Sequence, residues 1–133
     1  IIQLIMIERK YVIYEITKDK KDISIICNCK NAETLNTFLY SDVRPFEAWI
    51  KSDLDKVLSG EIDSKEIRGN VCYVKINPKT TQIYDMLIED DTEYHAACCE
   101  VDTKELRQLI EEWCDKAREF ENTETLSEDK RGN

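Results

Sequence analysis

Val101-Asp102-Thr103-Lys104-Glu105-Leu106-Arg107-Gln108-Leu109-Ile110-Glu111-Glu112-Trp113-Cys114-Asp115-Lys116-Ala117-Arg118-Glu119-Phe120 carries the clearest structural signal in the chain. Asp102 is placed as an N-cap, and Glu105, three residues on, completes a capping box. Val101 and Leu106 flank them in the positions of a hydrophobic staple. Leu106, Leu109, Ile110, Trp113, Ala117 and Phe120 then recur at helical spacing and form one apolar stripe. Glu112 and Lys116 make a favourable i,i+4 pair on the polar side. A helix with such a stripe must bury it against another layer, and the residues upstream supply one.

Tyr94 to Val101 reads as a strand weakened by Ala96 and Ala97. Val71–Asn77 and Gln82–Leu87 read as a hairpin turned by Asn77-Pro78-Lys79-Thr80. Further back, Ser41 or Asp42 caps a helix running to about Ser59, with Pro45 in its first turn. Phe46, Trp49, Ile50, Leu54, Val57 and Leu58 form its apolar face, and Gly60 ends it in a left-handed conformation. Trp49 and Trp113 are of the residue type that anchors interfaces, but both fall within apolar stripes, which favours the core over that reading. Tyr11–Thr17 and Ile23–Cys29 form another hairpin across the charged turn Lys18–Asp22, and Ile1–Ile7 reads as an additional strand. Asn31–Tyr40 is ambiguous and reads as a connection or short irregular structure, and Glu61–Ile67 reads as a connection. The expectation is an α+β fold: an antiparallel sheet of about five or six strands with two main helices packed on one face. Residues 1–121 make one domain, and the polar segment 122–133 is expected to be a disordered tail.

Composition narrows the function classes. The 133 residues include 28 Asp and Glu against 19 Lys and Arg, a net charge of −9, with one histidine and three glycines. That balance argues against a nucleic-acid backbone or an anionic membrane as the main ligand and favours a basic protein partner. No run of about 18 apolar residues is present, so no transmembrane helix is expected. The opening apolar stretch lacks the basic leader and small-residue cleavage site of a signal peptide. The six cysteines, Cys27, Cys29, Cys72, Cys98, Cys99 and Cys114, are then read as free thiols in a reducing cytoplasm.

Few residues offer chemistry. Cys27, Cys29, His95, Cys98 and Cys99 are the candidate metal ligands, but the spacing of a zinc knuckle is absent, and Cys98 and Cys99 would point to opposite faces of a strand. His95 sits in an acidic stretch, which raises its pKa and suits it poorly as a base for a cysteine nucleophile. No glycine-rich phosphate loop exists. No cofactor and no metal are expected. The densest acidic run holds Asp85, Glu89, Asp90, Asp91 and Glu93 without a Lys or Arg among them. Glu111, Glu112 and Asp115 mark the outer face of the last helix. These eight carboxylates are the candidate partner-binding residues, because acidic patches speed encounter with a basic partner and orient it.

Three stretches together carry a resemblance. They are Phe46-Glu47-Ala48-Trp49-Ile50 with Lys56–Glu61; Gly69-Asn70 leading into Val71–Ile76; and Cys99–Leu106 with Ile110–Trp113 and Phe120. Over about residues 40 to 121 the chain resembles small acidic bacterial immunity proteins of contact-dependent growth inhibition and other polymorphic toxin systems. The resemblance implies a cytoplasmic, non-enzymatic antidote that binds a cognate toxin domain, such as a basic tRNase or DNase, and occludes its active site. No catalytic residue carries over. Two other readings stay open on residues alone: a small metal-binding or thiol protein using Cys27, Cys29, Cys98 and Cys99, and a mobile-element inhibitor that mimics nucleic acid.

Overall fold

The computed structural model describes residues 7–87 and 98–131, with side chains of the last helix described as far as Glu124. Strands β1 (Glu8–Thr17) and β2 (Lys20–Asn28) form a hairpin closed by Lys18-Asp19, with a bulge between Glu15 and Thr17. The turn is therefore two residues, not the five of Lys18–Asp22. Helix α1 (Ala32–Phe38) runs directly into a π-helical turn (Leu39–Val43), and helix α2 (Glu47–Leu58) follows. Strands β3 (Lys65–Arg68), β4 (Cys72–Ile76), β5 (Thr80–Asp85) and β6 (Cys98–Asp102) make an antiparallel sheet in that order. Helix α3 (Thr103–Arg131) leaves β6 without a break. Of the expected strand at Ile1–Ile7 only Ile7 is described, just ahead of β1, and the first half of the expected strand at Tyr94–Val101 lies outside the described residues.

The α+β class holds, but the single sheet does not. Among the described residues the six strands divide into a two-stranded and a four-stranded sheet. The reason lies in residues 31–40, expected to be a connection and found to be helical. Asn31 adopts a left-handed φ of 58°, which an Asn tolerates, and its side-chain amide donates to the Cys98 carbonyl at 2.6 Å. Helix α1 starts from that anchor and packs against β2, β5 and β6. Asn36 Oδ1 accepts the Cys27 N–H at 2.8 Å, so a helix side chain satisfies a donor on the outer edge of β2. Leu35 and Phe38 fill the space between the sheets. The end of the expected connection Glu61–Ile67, together with Arg68, forms the edge strand β3, with Ile67 buried.

Helix α2 begins later than expected. Asp42 does not cap it. Its side chain is fully buried and accepts the backbone N–H groups of Asn70 (2.7 Å), Val71 (3.1 Å) and Cys72 (2.8 Å). It thereby ties the π-helical turn to the entry of β4. A carboxylate holding three charge-assisted bonds offsets much of the cost of removing it from water. Gly69 is required beside it: a Cβ there would lie 2.6 and 2.7 Å from the two carboxylate oxygens. Gly60 ends α2 at φ 83°, as expected.

The start of α3 follows the sequence signal with one change. Asp102 Oδ2 accepts the Glu105 N–H at 2.9 Å, the N-cap bond. Glu105, however, receives the Ile7 N–H instead of closing the box locally, and so docks the lead-in to β1. Leu106, Leu109, Ile110, Trp113 and Ala117 are buried. Trp113 stacks on Tyr11 (6.3 Å between ring centroids) and donates its indole N–H to the Leu39 carbonyl at 2.7 Å. Thr81 and Thr103 share a buried 2.8 Å hydrogen bond where β5 meets α3. The helix runs on to Arg131, and Arg44 holds Glu121 on it at 2.9 Å.

Two substitutions test this framework. Trp113→Ala is expected to cost about 3–5 kcal/mol, a large-to-small core change, measured by denaturant unfolding. Gly69→Ala is expected to cost about 1–3 kcal/mol through overpacking against the Asp42 carboxylate. An unchanged unfolding midpoint for Gly69→Ala would show that the carboxylate has room to retreat.

Candidate functional site

Helices α2 and α3 lie side by side, joined by a ladder of alternating charge. From one end it runs Asp55, Arg107, Glu111, Lys51, Glu47, Arg118, Asp115. Arg107 meets Asp55 at 2.8 Å and Glu111 at 2.9 Å; Lys51 meets Glu111 at 2.6 Å and Glu47 at 2.5 Å; Arg118 meets Glu47 at 2.6 Å and Asp115 at 2.7 Å. Single exposed pairs contribute little, but in this network every member between the terminal Asp55 and Asp115 is held by two partners. Burial alone would raise the pKa of Glu47; the hydrogen bonds and charges of Arg118 and Lys51 outweigh it and bring it down to about 2. Glu111 is also held below the usual carboxylate range, by Lys51 and Arg107.

The eight candidate carboxylates are not gathered into one patch. Glu111 and Asp115 belong to the ladder. Glu112 lies about 100° around the helix from Glu111 and faces β1, where it meets Arg9 Nε at 2.6 Å and accepts the Tyr11 hydroxyl. These three acids already have cationic or hydroxyl partners within the chain. Asp85 ends β5, where its Oδ1 accepts the Leu87 N–H at 2.9 Å. Glu89, Asp90, Asp91 and Glu93 lie outside the described residues.

Sequence patterning missed the exposed apolar side chains. Trp49, expected in the core, is 42% exposed, with Phe46 set edge-on at 5.6 Å. The buried face of α2 is Ile50, Asp53, Leu54 and Val57. Trp49 sits one residue before that face and so turns away from it. Leu87, 71% exposed, opens the acidic run, and the β1–β2 hairpin exposes Ile13, Tyr14, Ile16 and Ile26. An exposed Trp beside an aromatic neighbour suits a protein contact, since Trp is enriched among residues that dominate binding energy.

The thiols are placed for packing. Burial pushes Cys27, Cys99 and Cys114 up to about 12 and raises Cys29 and Cys72 as well. A raised thiol is a poor nucleophile and a poor metal ligand at neutral pH. Among the described residues no three His, Cys, Asp or Glu side chains converge as a metal site. His95 lies outside the described residues. Also among the described residues, no helix is long and apolar enough to cross a membrane.

No family model matches the chain, and no solved structure matches it. A curated protein of Bacillus cereus described as "Immunity protein" is 37% identical over 86 residues, which span 65% of this chain and 71% of the relative. This chain belongs to that immunity-protein family. Trp49 on α2 and Leu87 after β5 are the exposed large apolar residues outside the β1–β2 hairpin among the described residues.

The ladder predicts a pH response. The folded-state pKa of Glu47 lies below its usual 4.5, so its contribution to stability is complete above that value and is lost as pH falls through about 2. E47Q is expected to be less stable than the parent near neutrality, with the difference closing as the pH approaches 2. Urea unfolding across the acid range checks this; a constant difference would show that the ladder is not coupled to Glu47 ionisation.

Proposed function

We propose that this chain is an immunity protein that binds a cognate toxin domain and neutralises it by covering its active site. The observation that carries this is the 37% identity to the Bacillus cereus immunity protein. The net charge of −9 supports a basic partner, and a nuclease is the class of toxin whose phosphate groove an acidic surface would fill. The role is that of a binder, not an enzyme, and it is exercised in the cytoplasm, where a nuclease finds its substrate. We place the contact on the acidic run Asp85, Glu89, Asp90, Asp91 and Glu93, with Leu87 and Trp49 as apolar anchors. Glu111, Glu112 and Asp115 would join the contact only by exchanging their present partners, so their part is secondary.

The direct test is co-purification with the toxin domain encoded beside this gene. A stable complex that suppresses the toxin supports the reading; well-folded protein that neither binds nor protects overturns it. Within such a complex, neutralising Glu89, Asp90 and Asp91 together is expected to slow association about tenfold at low salt with little change in dissociation. Trp49→Ala is expected to act on dissociation, weakening binding by about 2 kcal/mol. Surface plasmon resonance separates the two; an unchanged association rate for the triple variant would move the landing site elsewhere.

A further inference from the structure

The β1–β2 hairpin has a feature that the toxin reading does not use. Cys27 donates its N–H away from β1, to Asn36, and Ile23 donates its N–H to Asp22 Oδ1 at 2.8 Å. Cys27 lies opposite Arg9, and Ile23 opposite Ile13. These are therefore non-hydrogen-bonded pairs of the ladder, and by alternation so is Tyr11 with Ile25. The backbone N–H and C=O groups of Arg9, Tyr11 and Ile13 thus point out from the far side of β1, where no strand lies among the described residues. An edge of this kind is a template for another strand unless it is short, bulged or charged. Here β1 is ten residues long, its bulge lies at Glu15–Thr17, and its charges lie at Glu8, Arg9, Lys10 and Glu15. The centre, Tyr11 to Tyr14, has no such protection, and Ile13 is 59% exposed.

The edge is complementary to itself. If a second β1 runs antiparallel with Val12 on the two-fold axis, Tyr11 of each copy faces Ile13 of the other, so outward rungs meet outward rungs. Arg9, already bridged to Glu112, then gains Glu15 as a second acidic neighbour, and Lys10 faces Tyr14. Opposite charges and aromatic–aliphatic pairs facing each other are the favourable cross-strand combinations. Charge also selects this place. Glu8–Asp22 holds five cations against four anions, although the chain as a whole is at −9. Two such chains repel, and they repel least where local charge is near zero or positive.

We propose that two copies of this chain associate through antiparallel pairing of β1 with β1 about a two-fold axis at Val12, forming one continuous four-stranded sheet. The contact is isologous and closes on itself, so it yields a dimer and not a fibre. It stands independently of the toxin reading and leaves the Asp85 end of β5 outside the paired strands.

The test is light scattering on the full chain over a range of concentrations, with hydrogen exchange on the same samples. The expected result is a monomer–dimer equilibrium in which the amides of Arg9, Tyr11 and Ile13 exchange more slowly as concentration rises. Ile13→Pro removes one outward N–H without touching the β1–β2 ladder, a site where an edge strand accepts proline. Ile13→Lys places a charge on an already exposed position. Each is expected to raise the dimer dissociation constant about tenfold or more, and Ile13→Lys keeps the test valid if the proline variant does not fold. A chain that stays monomeric at the highest concentrations overturns the proposal. So does a dimer indifferent to Ile13→Lys. Protection of those three amides only when a toxin domain is added would also overturn it, assigning the edge to the toxin.

Discussion

The Asp42 carboxylate joins parts of the chain that are far apart in sequence. It sits in the π-helical turn between α1 and α2, fully buried, and its oxygens take three successive backbone N–H groups at the entry to β4. Removing those donors would leave a buried charge without partners; removing the carboxylate would leave three buried or part-buried donors unsatisfied. Either loss costs more than the net value of the bonds themselves. Gly69 is the steric condition for this arrangement and Trp113 extends it, because its indole reaches the Leu39 carbonyl in the same turn. The helical segment, the four-stranded sheet and α3 meet at that turn.

The parts of this fold legible in the sequence were those whose signals are local. The cap at Asp102, the stripe from Leu106 to Ala117 and the left-handed Gly60 depend on neighbours within four residues, and the structure has each where the sequence places it; the turn expected over Asn77–Thr80 is one residue shorter, because Thr80 opens β5. Asp42 shows where local reading stops. An Asp three residues before Pro45 has the chemistry of an N-cap, and it does accept backbone N–H groups, but α2 starts only at Glu47. Its donors are Asn70, Val71 and Cys72, which no window around residue 42 contains. Glu105 behaves similarly, satisfying Ile7 across the fold instead of its own cap. Helix α1 was missed because its start depends on the bond from Asn31 to Cys98.

The candidate site was legible only as charge. Counting acids on α3 found Glu111, Glu112 and Asp115, but counting does not reveal that Lys51, Arg107, Arg118 and Arg9 already hold them. Those cations come from α2, from β1 and from other turns of the same helix. Trp49 was misplaced for a geometric reason. Adjacent residues on a helix point about 100° apart, so Trp49 and Ile50 cannot both occupy the centre of one buried face. The structure gives the centre to Ile50, and the larger side chain is turned outward.

The two tryptophans consequently occupy opposite environments. Trp113 is sealed in the core with its N–H engaged, whereas Trp49 is open to solvent beside Phe46. Indole fluorescence depends on the polarity around the ring, so the chain carries two built-in optical reporters with different sensitivities. Unfolding would move the Trp113 emission toward longer wavelengths as water reaches it. Covering the α2 surface would move the Trp49 emission the other way. Loss of structure and occupation of that surface thus leave signals of opposite sign in the unlabelled protein.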